Sequence, residues 1–541
     1  MIKKIVIVGG GFAGWYTACA LQYQLADINI TLIDSSKFGT IGVGEATPFD
    51  GVGSFERMIG LDDQQFVRRT GSIYKYGVRA YDFYQNSSAD HWGKIHNLKL
   101  SSLTKFFQKF EHRDSYSAGT RKENDRGLLL TWLTLNQNKN KTVNDMMLDV
   151  SEQYHFLTNP LAPYDRDNQS ILERDGLAYH LDAEQSIAYI RDLVYSRDCS
   201  QFRHITSTVV DVINDDKNVT SIKLENGMLI TADLFIDASG LRRALMSKSN
   251  NTSWQDSGPE TTNSAWVCPS KYLDPEKELV GASEFYGEDY GWRFKIRLYH
   301  RIGNGYIFNS RLVDAEVPRQ KLLDVVKGTQ LNDPKLIQWD PGYYRKPWQG
   351  NIVPVGMAAI FVDPYDAPTL SAHNSSLEDI VDIIKNNIQN PQEHYNQMRD
   401  FTNEERHWRM NLPFGLSKKS GPFWDQYREK AHNEDFNTVL KDIILENRAD
   451  IDSRLKWYWP YIYLRIAVGT NVDLTQWDFP KLTNAESEIA QAFFTYNRQR
   501  NNYIKETYWP NYYQWLKANR FGGASHLEIL QELNPQLAKN A

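Results

Sequence analysis

The first 34 residues constrain the fold more than any other stretch of the 541-residue chain. Ile2 to Val8 is a short run rich in β-branched residues and bounded by glycine, the pattern of a buried parallel strand. Phe12 to Leu25 reads as a helix, and Ile28 to Ile33 as a second strand ending at Asp34. Together they form a βαβ unit. Between strand and helix, Gly9-Gly10-Gly11-Phe12-Ala13-Gly14 reads G-x-G-x-x-G. In such a loop the first glycine permits the tight turn, the second lets backbone approach a pyrophosphate, and the third packs helix against sheet. The helix N-terminus presents unpaired N–H groups and a positive dipole end to the phosphates. Asp34, about 20 residues past Gly14, is placed to accept from a ribose hydroxyl. The glycine pattern alone is weak evidence; strand, helix and acid together predict a dinucleotide site.

Composition narrows the rest. Lys plus Arg is 61 against 67 Asp plus Glu, a net charge of −6 that carries no nucleic-acid footprint. The three cysteines, Cys19, Cys199 and Cys268, lack metal or disulfide spacing, and no histidine cluster points to a metal. The apolar run after Lys3 and Lys4 is too short for a secretory signal. No run approaches the roughly 20 residues that span a bilayer. The expectation is a soluble, cytoplasmic protein.

Polar stretches at Asn136 to Thr142 and Asn159 to Ser170 read as exposed connections. Strands are expected at Thr208 to Val212, Ser221 to Leu224, Leu229 to Ile230 and Asp233 to Ile236, and a strand-rich block over Tyr290 to Ser310. Ser375 to Gln389 reads as a helix opened by a capping box, Ser375 with Glu378. Beyond about Asn390 the chain is helical and crowded with Trp and Tyr. The fold class is therefore α/β: a Rossmann-type dinucleotide-binding body with mixed sheet over residues 1–395, carrying a helical insertion near 100–170. A helical, aromatic-rich module over 396–541 would face the substrate.

Several segments carry a resemblance. Thr231 to Gly240 resembles the second FAD fingerprint of glutathione-reductase-like flavoproteins, with Val209 on the strand that flanks the adenine. Gly42-Val43-Gly44-Glu45-Ala46-Thr47-Pro48 is very close to the GVGEAT segment that straps the flavin in flavin-dependent halogenases. Gly291 to Ser310 resembles that family's GWxWxIP signature: Gly291, Trp292 and Ile296 match, Phe294 replaces the second Trp, and Arg297 the Pro. Tyr179 to Ala183 resembles its YHFDA motif, and Ser420 to Trp424 a later SPFW element. The chain is thus similar to the tryptophan-halogenase-like family. The resemblance implies FAD, used as FADH2, on Gly9, Gly11, Ala13, Gly14, Asp34, Val43, Gly44, Glu45, Ala46, Val209, Gly240, Gly356 and Leu370. No second G-x-G-x-x-G is present for a nicotinamide nucleotide, which points to a separate flavin reductase as partner. Other implied partners are a halide ion, O2 and a small aromatic substrate; homo-oligomerisation is compatible with all of this.

The resemblance also assigns the chemistry. Reduced FAD, oxygen and halide yield hypohalous acid, which crosses a passage lined by Trp292 and Phe294 to Lys75 in Tyr74-Lys75-Tyr76-Gly77-Val78-Arg79. An ammonium there orients an oxidant that is indiscriminate in water and polarises its O–X bond. Without the resemblance, Lys75 would read as an exposed charge on an alternating strand. Asp366 falls where a Glu stabilises the cationic ring and receives its proton, one methylene shorter than usual. Pro368 and Thr369 fall on the two positions whose backbone N–H groups hold the halide, and proline has no N–H. Chloride, the most hydrated and hardest to oxidise of the three halides, should suffer most, so bromide or iodide is expected. Arg297 would add a cation near the passage, and His180 is expected to be structural. The expected reaction is electrophilic halogenation of a free indole or phenol. Phe294 and Arg297 leave an FAD-dependent aromatic hydroxylase as the alternative, and the altered halide loop leaves a flavin-binding protein without catalysis as a third reading.

Overall fold

The computed structural model describes residues 2–37, 39, 45–48, 51–83, 91–92, 132, 134–136, 143–150, 154–162, 164, 177–215, 218–249, 253–365, 367–445, 477 and 481–533. Lys4–Val8 is the central strand of a five-stranded sheet whose order runs Ile352–Pro354, Leu234–Asp237, Lys4–Val8, Asn29–Asp34, Phe202–Thr206. Every pairing in it is parallel. Ile5, Val6 and Ile7 have no exposed surface, as expected of a strand covered on both faces. The Phe12–Gln24 helix, backed by Ala183–Tyr195, covers the face of Ile5 and Ile7, while Val6 and Val8 on the other face pack with Val219, Ile222 and Leu224. An antiparallel meander, Val209–Asn214, Val219–Leu224 and Leu229–Ile230, leads into the Leu234–Asp237 strand. The expected strands are thus present, with ends shifted by one or two residues.

A second, seven-stranded sheet carries the Tyr290 to Ser310 block as the paired strands Gly291–Arg297 and Ile302–Phe308. Its one parallel pairing joins Ala282–Glu288 to Gly77–Tyr81. Between the two large sheets lies a small three-stranded one: Glu45–Ala46, Ala178–Leu181 and Ile73–Lys75.

Two expectations need correction. The helix expected from Ser375 begins at Pro368 and ends at Lys385, so Ser375 is no cap. Proline at the first helical position starts the helix early, and the Ser375 hydroxyl donates back to the Ser371 carbonyl at 3.0 Å. The start of the Asn159 to Ser170 segment is not exposed. Leu161 and Ala162 are buried, and the Ala162 N–H donates to the Trp509 carbonyl. The Pro391–Gly415 helix runs across positions 395 and 396. The C-terminal helices also pack onto the body, with Tyr513 and Phe521 stacked on Tyr299. Among the described residues no helix is long and apolar enough to cross a membrane.

Asp182 ties the Ala183–Tyr195 helix to the turn between Gly291–Arg297 and Ile302–Phe308. Its carboxylate caps the Ala183–Tyr195 helix through the Gln185 N–H at 3.1 Å and takes Arg301 Nε and Nη2 at 3.1 and 2.6 Å. Burial pushes this carboxyl up, but Arg301, His300 and the Gln185 N–H outweigh it and hold it well below the usual carboxylate range. Asp182→Ala should therefore cost about 3 to 5 kcal/mol by stranding a buried guanidinium, measured by chemical denaturation. Because the folded pKa is depressed, the pair's contribution is complete above the unfolded value of about 3.9 and is lost progressively as pH falls below it. The wild-type and variant stabilities should converge in acid.

Candidate active site

All five strands of the parallel sheet deliver their carboxyl ends to one edge, where ligands of open α/β sheets bind. Gly9, Asp34, Gly240 and Gly356 all stand at that edge, each just past or at the end of its strand. Gly9 takes φ +125°, and a Cβ there would lie 2.4 Å from the Ala238 carbonyl oxygen. A Cβ on Gly14 would lie 1.8 Å from the Gly9 oxygen, so the helix packs directly on the turn. A Cβ on Gly11 would meet nothing within 4 Å. That open space before a helix N-terminus is what a pyrophosphate requires. Asp34 sits beside Gly10, with His204 Nε2 3.9 Å from its carboxylate. Burial lowers the His204 pKa, and Asp34 opposes the shift. These residues fit the adenosine and pyrophosphate of FAD.

The other flavin positions converge from farther along the chain. Ala13 meets Gly356, where a Cβ would be 3.0 Å from the Ala13 methyl. Leu370 lies in the first turn of the Pro368–Lys385 helix, which is tied to the first helix by a 3.0 Å hydrogen bond between Thr17 Oγ1 and His373 Nε2. Burial pushes His373 down to about 3, so the ring is neutral. Val209 belongs to the separate meander, reached through the 2.8 Å Ser35–Thr208 hydroxyl contact. Sequence reasoning passed over Asp237, although it lay inside the second fingerprint. Its fully buried carboxylate accepts from the Ser239, Leu245 and Met246 N–H groups and so shapes the Gly240 turn.

Lys75 is not an exposed charge; it is 2% exposed. Its Nζ donates to the Thr47 carbonyl at 3.0 Å. Thr47 is held in turn by Tyr179, whose carbonyl accepts the Thr47 N–H and whose N–H donates to Thr47 Oγ1, both at 2.8 Å. The end of the strap and the lysine are thereby joined through one small sheet, in which Ala46 pairs with His180. Val43 and Gly44 lie outside the described residues, and Glu45 is placed by its backbone alone. His180 is structural as expected: Nδ1 contacts the Arg297 carbonyl at 3.0 Å and Nε2 the Ser283 hydroxyl at 2.8 Å. Burial and then the Lys75 charge hold it well below the ordinary histidine pKa.

Trp292 and Phe294 form a buried aromatic wall with Phe285 and Tyr365, Trp292 lying 4.9 Å from Phe285 and 5.4 Å from Tyr365. Asp363 locks the wall to the following loop: it accepts from Thr262 Oγ1 at 2.6 Å, the Tyr365 N–H at 3.0 Å and Trp292 Nε1 at 3.4 Å. Asp366 lies outside the described residues. Ala367 takes the left-handed conformation, φ 56°, and Pro368 and Thr369 open the helix. The Thr369 hydroxyl donates to the Ile360 carbonyl at 3.3 Å. Arg297 departs from expectation. Side chains alternate along a strand, so Arg297 shares a face with Arg293 and Lys295, opposite Trp292 and Phe294. It pairs with Glu284 at 2.8 Å, so its charge is not offered to the passage.

The chain matches the tryptophan halogenase family over residues 4–478. It is 24% identical to a tryptophan 6-halogenase of Streptomyces toxytricini, over 95% of this chain and 98% of that protein. It is also 24% identical to a tryptophan 7-halogenase of Lentzea aerocolonigenes, over 79% and 81%. The structure of a tryptophan halogenase from Shewanella frigidimarina superposes with a TM-score of 0.77 at 20% identity, covering 97% of this chain and 99% of that one.

The glycines separate folding from cofactor binding. Gly11→Val should leave the melting temperature within about 2 °C of wild type, as surface changes do, while weakening FAD binding at least about tenfold. Gly14→Val, which drives a side chain into the Gly9 carbonyl, should not yield folded protein. Thermal melts and a flavin fluorescence titration read both.

Proposed function

The chain belongs to the tryptophan halogenase family, FADH2-dependent enzymes that halogenate aromatics, and we propose that Lys75 relays the halogen to a free, electron-rich indole or phenol. The observation that carries this reading is the buried Lys75 ammonium, held on the Thr47 carbonyl at the end of the strap. When bound, reduced FAD supplies hypohalous acid from oxygen and halide. Lys75 donates a hydrogen bond to the oxidant's oxygen and draws electron density from the O–X bond. The ring attacks the halogen, a C–X bond forms, the O–X bond breaks, and the departing hydroxide takes a proton from the Lys75 ammonium to leave as water, a proton that the one lost by the ring replaces. Asp366 receives the ring proton.

Halide selection follows from the helix that begins at Pro368. The first turn of a helix leaves its N–H groups without intrahelical partners, and proline removes one of them. The Thr369 hydroxyl is engaged by the Ile360 carbonyl. An anion bound there has one main-chain donor fewer, and the ion that loses most is chloride. Bromide or iodide is therefore the expected substrate.

Two measurements test the proposal. With a flavin reductase, a panel of indoles and phenols, and equimolar chloride and bromide, the product mass spectrum should show the bromine isotope doublet in excess. Predominant chlorination would overturn the halide assignment. Lys75→Ala should retain FAD while halogenation falls by on the order of 100-fold or more; a variant that halogenates like wild type would end the relay assignment.

A further inference from the structure

The strand that ends in Lys75 is only three residues long, Ile73–Lys75. One edge pairs with Ala178–Leu181, with Tyr74 opposite Tyr179 and Lys75 opposite Ala178. Both main-chain groups of Tyr74 turn instead to a side chain 438 residues away. The Tyr74 N–H donates to the Tyr512 phenol oxygen at 2.8 Å, and the same phenol donates to the Tyr74 carbonyl at 3.1 Å. One hydroxyl thus satisfies a donor and an acceptor, as a neighbouring strand would. Two residues on, the Tyr76 N–H donates to the Gly281 carbonyl at 2.6 Å. Lys75 is therefore clamped on both sides along the chain.

Tyr512 is itself rigidly held. It has no exposed surface, opens the Tyr512–Asn519 helix, and donates its own N–H to the Pro160 carbonyl at 2.6 Å. Its ring lies 5.5 Å from that of Tyr76. Burial keeps the phenol protonated, as donation requires. A three-residue strand has little pairing of its own, and a shift of about 1 Å in a reacting group costs on the order of 100-fold in rate.

We propose that Tyr512 is a positioning residue for Lys75: its phenol fixes the main chain of Tyr74 and thereby sets where the Lys75 ammonium meets the halogen. The proposal rests on the assignment of Lys75 as the relay. Through Tyr512 the C-terminal helices set the accuracy of halogen transfer.

Tyr512→Phe removes the hydroxyl and keeps the ring. Flavin oxidation, and halide-dependent oxidant captured by a soluble 1,3-diketone, should match wild type. With the best-converted member of the indole and phenol panel, kcat should fall about tenfold at unchanged KM, and product per flavin oxidised should fall with it. Tyr513→Phe is the control, because the Tyr513 hydroxyl accepts the His526 N–H and does not reach the strand. Tyr512→Phe with the kcat and product yield of Tyr513→Phe overturns the proposal. Hydrogen exchange on the wild-type enzyme gives a second reading that needs no variant: the Tyr74 amide should be strongly protected, and exchange at the rate of an open loop overturns it. An inactive Lys75→Ala beside an unaffected Tyr512→Phe overturns this proposal alone. An active Lys75→Ala overturns the relay assignment and this proposal together.

Discussion

A buried ammonium on a backbone carbonyl is the contact around which the site is organised. Taking a lysine charge out of water costs several kcal/mol, so the surroundings must hold it. The Thr47 carbonyl does so, and it can because Tyr179 fixes Thr47 through both main chain and hydroxyl. The lysine, Thr47 and the Tyr179 strand are consequently one unit. Movement of any one would break these hydrogen bonds.

That unit sits between two sheets with different tasks. The parallel sheet gathers Gly9, Asp34, Gly240 and Gly356 at its carboxyl edge, where every strand end points the same way. The mixed sheet turns an apolar face, Trp292 with Phe294 and Phe285, toward Tyr365 and the loop held by Asp363. Its opposite face carries Arg293, Lys295 and Arg297, with Glu284 neutralising part of their charge. His180 and Asp182 bridge to this second sheet, so the motif Tyr179 to Ala183 joins the small sheet to it.

Local patterns were legible where chemistry and spacing act over a few residues. The G-x-G-x-x-G turn, the meander strands and the paired strands of the Tyr290 to Ser310 block lie where periodicity placed them. The Ser375 capping box failed because Ser-x-x-Glu also fits a helix interior, and a proline seven residues earlier already opened the helix. Arg297 failed differently: in sequence it is three residues from Phe294, but an odd spacing on a strand puts the two on opposite faces. Thr47, Tyr179 and Asp237 stood inside recognised motifs, yet their contacts are to backbone groups that no spacing reveals.

The sequence by itself determined the dinucleotide-binding turn, the α/β class and the family resemblance, and that resemblance singled out Lys75. Each depends on residue type at short range, where backbone geometry admits few alternatives. Only the tertiary structure decided that Lys75 is buried, that its ammonium rests on Thr47, and that Tyr512 braces the residue before it. Those outcomes depend on main-chain groups brought together across 28 and 438 positions. Main-chain donors and acceptors are the same at every residue, so their partners are chosen by packing and leave no mark in the order of side chains.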